Sequence, residues 1–219
     1  MFVRNWMKKD PVTVTSDTLV IDAKKIMKEN KFRRLPVVDR GKLVGIVTLN
    51  TLREAQPSAA TSLSIHELHY LLAKMTVADI MTKKIITCSP DITLEKAARM
   101  GTRHGIGALP VVENGKLVGI ITESDIYRAF LTMLGAFKVP STRISIDNFP
   151  QDQDAIIKVI SILDELKLTL CSLAVVDDVP VEGRRQLIFR VCEEDISALK
   201  AKLATAGFPI ADATPVEKV

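Results

Sequence analysis

Apolar and polar positions in the first 55 residues follow a fixed grammar. A β-rich run, Val12-Thr13-Val14-Thr15, leads to Asp17 and then to a helical period through Ile21, Ala23, Ile26 and Met27, which Ser16 or Asp17 can cap. Two apolar runs come next, Arg34-Leu35-Pro36-Val37-Val38 and Leu43-Val44-Gly45-Ile46-Val47-Thr48. The tight turn Asp39-Arg40-Gly41-Lys42 separates them, so they predict a hairpin of two mostly buried strands. A second helix is predicted from near Thr51. The whole pattern then returns 74 positions later, with Leu109-Pro110-Val111-Val112, Gly115-Lys116-Leu117-Val118-Gly119-Ile120 and a helix from near Ser124. Laying residues 7–55 on 81–129 needs no gap and aligns 17 identities in 49 pairs, which identifies a duplicated structural unit. Two such units tend to pack about a pseudo-twofold axis, and the groove between them offers two related sites.

Between the copies the small, polar stretch Gln56-Pro57-Ser58-Ala59-Ala60-Thr61-Ser62 leads into a helical pattern at Ile65, Leu68, Leu71 and Leu72. After about residue 138 the grammar changes. Arg143 to Ile146 alternates as a strand, and Ala155 to Leu166 has helical spacing at Ile156, Ile157, Ile160, Leu163 and Leu166. Leu170 to Val176 and Gln186 to Val191 are strand-like, Asp195 to Ala206 is a helix ending at Gly207, and a short strand follows near Ala213 to Val216. The order β-α-β-β-α-β predicts a ferredoxin-like sandwich. The expected fold class is therefore α+β, with repeat 1 and its connector helix at 1–75, repeat 2 at 76–138 and the sandwich at 139–219.

Composition narrows the functional classes. With 219 residues, 47% of them hydrophobic, the chain can fill the cores of two ordinary domains, and no apolar run approaches the roughly 20 residues of a membrane helix. Cys88, Cys171 and Cys192 are odd in number and embedded in apolar runs, the pattern of buried free thiols in a reducing compartment, so a cytoplasmic location is expected. A net charge of +4 is too small to argue for nucleic acid unless the charges gather on one face. His66 and His69 stand three apart without a third ligand, the spacing of a solvated or packed helix face rather than a metal site.

The repeat resembles the CBS domain, and two in tandem resemble a Bateman module, on the Leu-Pro-Val-Val strand, the Gly-Lys-Leu-Val-Gly-Ile strand and the closing Thr122-Glu123-Ser124-Asp125. By topology the tail resembles an ACT domain. A CBS pair followed by an ACT domain is the layout of acetoin-utilisation-type CBS proteins. The resemblance implies a regulatory, non-catalytic protein, a homodimer that binds an adenosyl compound (AMP, ADP, ATP or S-adenosylmethionine) between the repeats, with no required cofactor.

The chemistry of such a ligand can be set against the residues. A ribose needs a carboxylate for its hydroxyls, a phosphate needs hydroxyl, amide or guanidinium donors, and adenine needs an apolar slot. Thr122 and Asp125, where strand passes into helix, suit the first two needs. Carried over position by position, the resemblance places Val12, Phe32 and Arg33 opposite Ile120, Thr122 and Asp125, with Arg34 as a phosphate-binding arginine. At the pseudo-symmetric site Thr51 stands in place of Asp125 and Ala108 in place of Arg34, so a weaker or vacant pocket is expected there, lined by Ile46, Thr48, Thr51, Ile86, Ile106 and Gly107, with Gly105 adding room. The simpler reading is that Thr122 and Asp125 cap the helix they open and that Arg33 and Arg34 are a solvated basic pair. In the tail, Gln151 occupies the place where effector-binding ACT domains keep a glycine, which favours a dimerising or signal-receiving role over amino-acid sensing.

Two other classes fit the residues less well. The chain has no Walker-type loop, no Gly-x-Ser-x-Gly and no metal-ligand cluster, and His104 precedes Gly105 at a helix end where a cation is favourable, so catalysis lacks its parts. The basic run Lys24, Lys25, Lys28, Lys31, Arg33 and Arg34 suggests nucleic acid, but no helix-turn-helix or stacking platform accompanies it among ten aromatic residues. An interaction scaffold without small-molecule binding is the alternative to ligand sensing.

Overall fold

The computed structural model describes residues 1–55, 74–177 and 184–216. The predicted connector helix, with His66 and His69, lies outside the described residues. The chain forms two compact units, Met1–Ile126 and Tyr127–Val219.

The duplication is visible element by element in residues 20–133. Repeat 1 comprises α1 (Val20–Glu29), β2 (Arg34–Asp39), β3 (Lys42–Thr48) and α2 (Leu49–Glu54); repeat 2 comprises α4 (Leu94–His104), β4 (Ala108–Glu113), β5 (Lys116–Thr122) and α5 (Glu123–Met133). Both hairpins have the same register, Arg34 opposite Thr48 and Ala108 opposite Thr122, and the same irregularity, after Val37 and after Val111. At both turns the two central residues have positive φ, 49° and 77° at Arg40-Gly41 and 51° and 77° at Asn114-Gly115. These are the angles of a type I′ turn, whose twist matches that of the strands.

Three predictions need correction. The run Val12–Thr15 is not a strand: only Val14 bridges, in parallel with Val37, as Cys88 does with Val111. The chain turns away at once because the Thr15 N–H donates to the Thr18 hydroxyl and the Thr18 N–H to the Thr15 carbonyl. Neither Ser16 nor Asp17 caps α1. Leu19 is the N-cap and makes no side-chain bond, while the Ser16 N–H is taken by the Asp39 carboxylate at 2.9 Å. That bond holds the Asp39 carboxyl below its ordinary pKa. Helices α2 and α5 begin directly after their strands, ahead of the predicted Thr51 and Ser124.

Each repeat is completed by the segment that precedes the other. At the N-terminus a short 3-10 turn (Val3–Asn5) and β1 (Lys8–Lys9) bond to repeat 2: Val3 N–H to the Ile92 carbonyl, Leu94 N–H to the Met1 carbonyl, and Lys8 opposite Ile120. The equivalent segment after the first copy carries α3 (Val77–Ile80) and bonds to repeat 1, with Val77 N–H on the Thr18 carbonyl and Thr82 bridging Ile46. The second of these segments thereby enters the repeat 1 core, in which Val77 packs with Ala23, Leu35, Val37, Val47 and Leu52.

The second unit carries β6 (Thr142–Pro150), α6 (Gln153–Glu165), β7 (Leu170–Val176), β8 (Arg184–Val191), α7 (Ser197–Thr205) and β9 (Asp212–Pro215). The sheet order is β7-β8-β6-β9 with every neighbour antiparallel, the split βαββαβ arrangement. Strand β6 is longer than predicted, carried past an irregularity between Ile146 and Phe149 by Asn148 at positive φ. Helix α6 is capped by Asp152, which accepts the Ala155 N–H at 2.7 Å. Its buried stripe is Ala155, Val159 and Leu163, so Ile157 and Ile160 of the helical spacing face out. The stripe packs on Ile144, Ile146, Phe149, Leu187, Phe189, Leu199 and Leu203.

The cysteine reading is also corrected. Cys171 and Cys192, Cα atoms 5.9 Å apart, form a disulfide, because the irregularity after Leu170 and the end of β8 bring them together; Cys88 is free and buried, its thiol pushed up to about 11 by burial. Thiol titration of the denatured, unreduced chain should therefore find Cys88 alone, and native Cys88 should resist alkylation. All three thiols reacting without reductant would contradict the pairing.

Candidate functional site

The strands that carry the repeated motifs end on one cleft of about 470 Å³ in the first unit. Its walls come from both repeats. Repeat 1 supplies Val12, Phe32, Arg33, Arg34 and Pro36, and repeat 2 supplies Gly107, Ala108, Ile120, Thr122, Glu123, Ser124 and Asp125. All seven residues expected at the principal site, Val12, Phe32, Arg33, Arg34, Ile120, Thr122 and Asp125, are brought to this one cleft.

Thr122 and Asp125 form a closed local device. Asp125 Oδ2 accepts the Thr122 N–H at 3.0 Å and its hydroxyl at 2.6 Å, and the Thr122 Oγ1 accepts the Asp125 N–H at 3.3 Å. The capping reading is thus physically present, yet it uses one oxygen. Among the described residues Asp125 Oδ1 takes no hydrogen bond, and it belongs to a half-buried carboxylate on the cleft wall. A carboxylate oxygen there can accept from two hydroxyls at once.

The repeat 1 counterpart lacks this reserve. Thr51 Oγ1 accepts the Thr48 N–H and donates to the Thr48 carbonyl, both at 2.8 Å, so its hydroxyl is consumed by capping. Ile46 is tied on both its backbone groups to Thr82, and Ile86 and Ile106 are half-buried. Gly107, expected at this second pocket, lines the first cleft. A Cβ there would lie 2.7 Å from Glu123 Oε2 and 2.9 Å from an Arg34 guanidinium nitrogen. Glycine therefore leaves space for a carboxylate and a guanidinium to face the same point, with the Glu123 N–H bonded to the Gly107 carbonyl.

Four polar residues of the cleft were missed in the sequence, Ser124 among them as the expected start of a helix. Lys8 reaches it because β1 pairs with β5 across the repeats, which no local pattern signals. Lys31 stands at positive φ after α1, and Glu123 was read only as part of a motif. The remaining basic residues of the Lys24–Arg34 run divide: Lys24, Lys25 and Lys28 are exposed on α1, whereas Lys31, Arg33 and Arg34 line the cleft.

A family model described as the CBS domain matches the chain twice, over residues 3–58 and 77–132. The chain belongs to the CBS-domain family. As a tandem CBS protein it is 34% identical over 155 residues to an uncharacterized protein of Methanocaldococcus jannaschii, covering 60% of this chain and 92% of that one. It is 35% identical over 120 residues to inosine-5′-monophosphate dehydrogenase of Korarchaeum cryptofilum, covering 54% of this chain but only 22% of that enzyme. Among solved structures, a putative acetoin utilization protein (AcuB) from Vibrio cholerae is 30% identical with a TM-score of 0.53, covering 63% of this chain and 95% of that one. CBSX2 from Arabidopsis thaliana, solved in complex with AMP, is 33% identical with a TM-score of 0.50 over 60% and 96%. The CBS domain pair of protein MJ0100, solved with 5′-methylthioadenosine and S-adenosyl-L-methionine, is 31% identical with a TM-score of 0.50 over 59% and 99%. No helix among the described residues is long and apolar enough to cross a membrane.

Proposed function

We propose that this CBS pair binds an adenosyl ligand in the cleft between its repeats and acts as a non-catalytic regulator. The single observation that carries the reading is the pairing, in one cleft, of a carboxylate with a spare oxygen on repeat 2 and a cluster of cations with Phe32 on repeat 1. These are the groups that ribose, phosphate and base require. Support comes from the CBS pairs solved with AMP and with S-adenosylmethionine.

Helix α5 is the candidate relay. It carries Asp125 in its first turn, and just past its last turn the Leu134 carbonyl accepts from Ser172 at 2.8 Å and from Arg190 at 3.3 Å, tying it to β7 and β8. The βαββαβ unit is read as ACT-like and signal-receiving rather than amino-acid sensing. Arg185 donates to the Pro150 and Asp152 carbonyls at 3.1 and 3.4 Å, so its own side chain fills the turn between β6 and α6. A homodimer, as in acetoin-utilisation-type proteins, completes the reading. Exposed Ile157 and Ile160 on α6 and Leu170 and Leu173 on edge strand β7 favour a second reading, a protein-interaction scaffold.

Isothermal titration with AMP, ADP, ATP and S-adenosylmethionine tests the proposal. One ligand should bind, and Asp125→Ala should weaken it by about tenfold or more, the loss of a charge-assisted hydrogen bond of about 1.5–3 kcal/mol. Asp125→Asn keeps an oxygen for the cap and separates helix stability from binding. No heat with any of the four would leave the scaffold.

A further inference from the structure

The chain leaving α5 passes over β7 and β8 where the disulfide joins them. In the β7–β8 ladder Leu170 pairs with Val191 and Ser172 with Arg190, so Cys171 is an extra residue bulged out of the register. The bulge turns Cys171 and Ser172 toward the same stretch of chain. A Cβ on Gly135 would lie 3.6 Å from the Cys171 Cβ, 3.6 Å from the Ser172 hydroxyl oxygen and 3.3 Å from the Arg190 stem. Ser172 and Arg190 both donate to the Leu134 carbonyl, at 2.8 and 3.3 Å. The two residues that hold the end of α5 are therefore the next neighbour of one cysteine and the second neighbour of the other, and the Cys171–Cys192 bond fixes their spacing.

The pair is placed where that bond can open without unfolding the unit. Both cysteines are half-buried, one on the edge strand β7 and one just past the end of β8, whereas Cys88 is buried. Beyond the bulge the ladder continues from Leu173 opposite Phe189 to Val176 opposite Gln186, and the core around Phe189 and Val191 includes neither sulfur. The Thr169 carbonyl accepts the Cys192 N–H at 2.9 Å and lies 4.0 Å from Cys171 Sγ, an acceptor for the thiol that reduction creates.

We infer that Cys171 and Cys192 form a thiol–disulfide switch, which clasps the end of α5 when oxidised and releases it when reduced. In reduction a thiolate of a dithiol reductant attacks one sulfur, a mixed disulfide forms, and the second thiolate of the reductant closes its own disulfide. Two electrons and two protons thereby pass to Cys171 and Cys192, which end as thiols. Oxidation runs the same exchange in reverse with a low-molecular-weight disulfide, such as glutathione disulfide, which accepts the two electrons. With the bond open the bulge regains conformational freedom, and the Ser172 bond to Leu134, carried on an edge strand, opens with it. The clasp and the helix end it holds both lie within Tyr127–Val219, so the switch does not depend on what the cleft binds.

The test is backbone hydrogen exchange on the full, ligand-free chain, first oxidised with glutathione disulfide and then treated with dithiothreitol under native conditions. Dithiothreitol should free two thiols. The amides of Leu134, Gly135, Ala136 and Lys138, each bonded to a nearby carbonyl of the helix end, should then exchange about tenfold faster, while those of Ile144 and Phe189 in the core stay as they were. Glutathione disulfide should restore the slow exchange. Cys171→Ser and Cys192→Ser should each exchange fast with or without reductant, and since both keep Cys88, their indifference to reductant assigns the effect to the pair. A native chain whose bond resists dithiothreitol, exchange at the helix end that ignores the redox state, or loss of protection at Ile144 and Phe189 as well would each overturn the switch. The first and third of these outcomes would make the bond a structural staple, and the second would leave it without a link to α5.

Discussion

Phe189→Ala is expected to destabilise the βαββαβ unit by about 3–5 kcal/mol, the cost of removing a large ring from a core that cannot close over the gap. Phe189 is 1% exposed on β8 and packs with Ile144, Leu187, Val191, Leu199 and Leu203, contributed by two strands and one helix. Cavity costs of this size consume much of the stability of a domain of ordinary length. The measurement is differential scanning calorimetry beside nucleotide titration. Because Phe189 lies in the unit Tyr127–Val219 and the cleft residues lie in Met1–Ile126, the expected result is an early transition with cleft affinity retained. Unchanged melting would refute the core assignment, and loss of binding together with the early transition would mean that the two units fold as one.

The contrast between the cleft and this core shows what the residue pattern could and could not announce. The hairpins were legible because both signals that specify them are local, the apolar run and the turn whose central residues adopt positive φ at Arg40-Gly41 and Asn114-Gly115. The principal cleft was legible because the repeat doubles the information. A resemblance carried over residue by residue named seven positions that the fold brings to one place. What stayed hidden was non-local. The exchange of N-terminal segments between repeats places Lys8 across from Ile120, and no periodicity within residues 1–12 reveals it. The Val12–Thr15 run looked like a strand because β-branched residues favour one, but tertiary pairing engaged Val14 alone. Thiol pairing was missed for the same reason, since 21 residues separate Cys171 from Cys192 and only the sheet register joins them. On α6 the apolar residues exceed what one face can bury, so spacing alone could not say that Val159 would be inside and Ile160 outside.

Arg190 yields the second large effect, and its size depends on the replacement. The residue is 8% exposed, its charge opposed by burial and by neighbouring Arg143, and among the described residues no carboxylate is ion-paired with it. Its guanidinium donates to the Leu134 carbonyl and to Ser141 Oγ, each at 3.3 Å, while Gly135 stands at φ 66° with its Cβ position 3.3 Å from the Arg190 stem. Arg190→Ala removes that stem and should cost about 2–4 kcal/mol through the cavity it opens beneath the chain leaving α5. Arg190→Met fills the same channel and discharges an unpaired buried cation. It also strands no backbone acceptor, since the Leu134 carbonyl keeps its bond from Ser172, so it should cost less than about 1.5 kcal/mol. Chemical denaturation of the two variants separates packing from polarity. Equal large losses would show that the guanidinium bonds themselves hold the end of α5, whereas a near-neutral Met would show that the channel needs a filler of the right length and that the charge there is carried at a cost to stability.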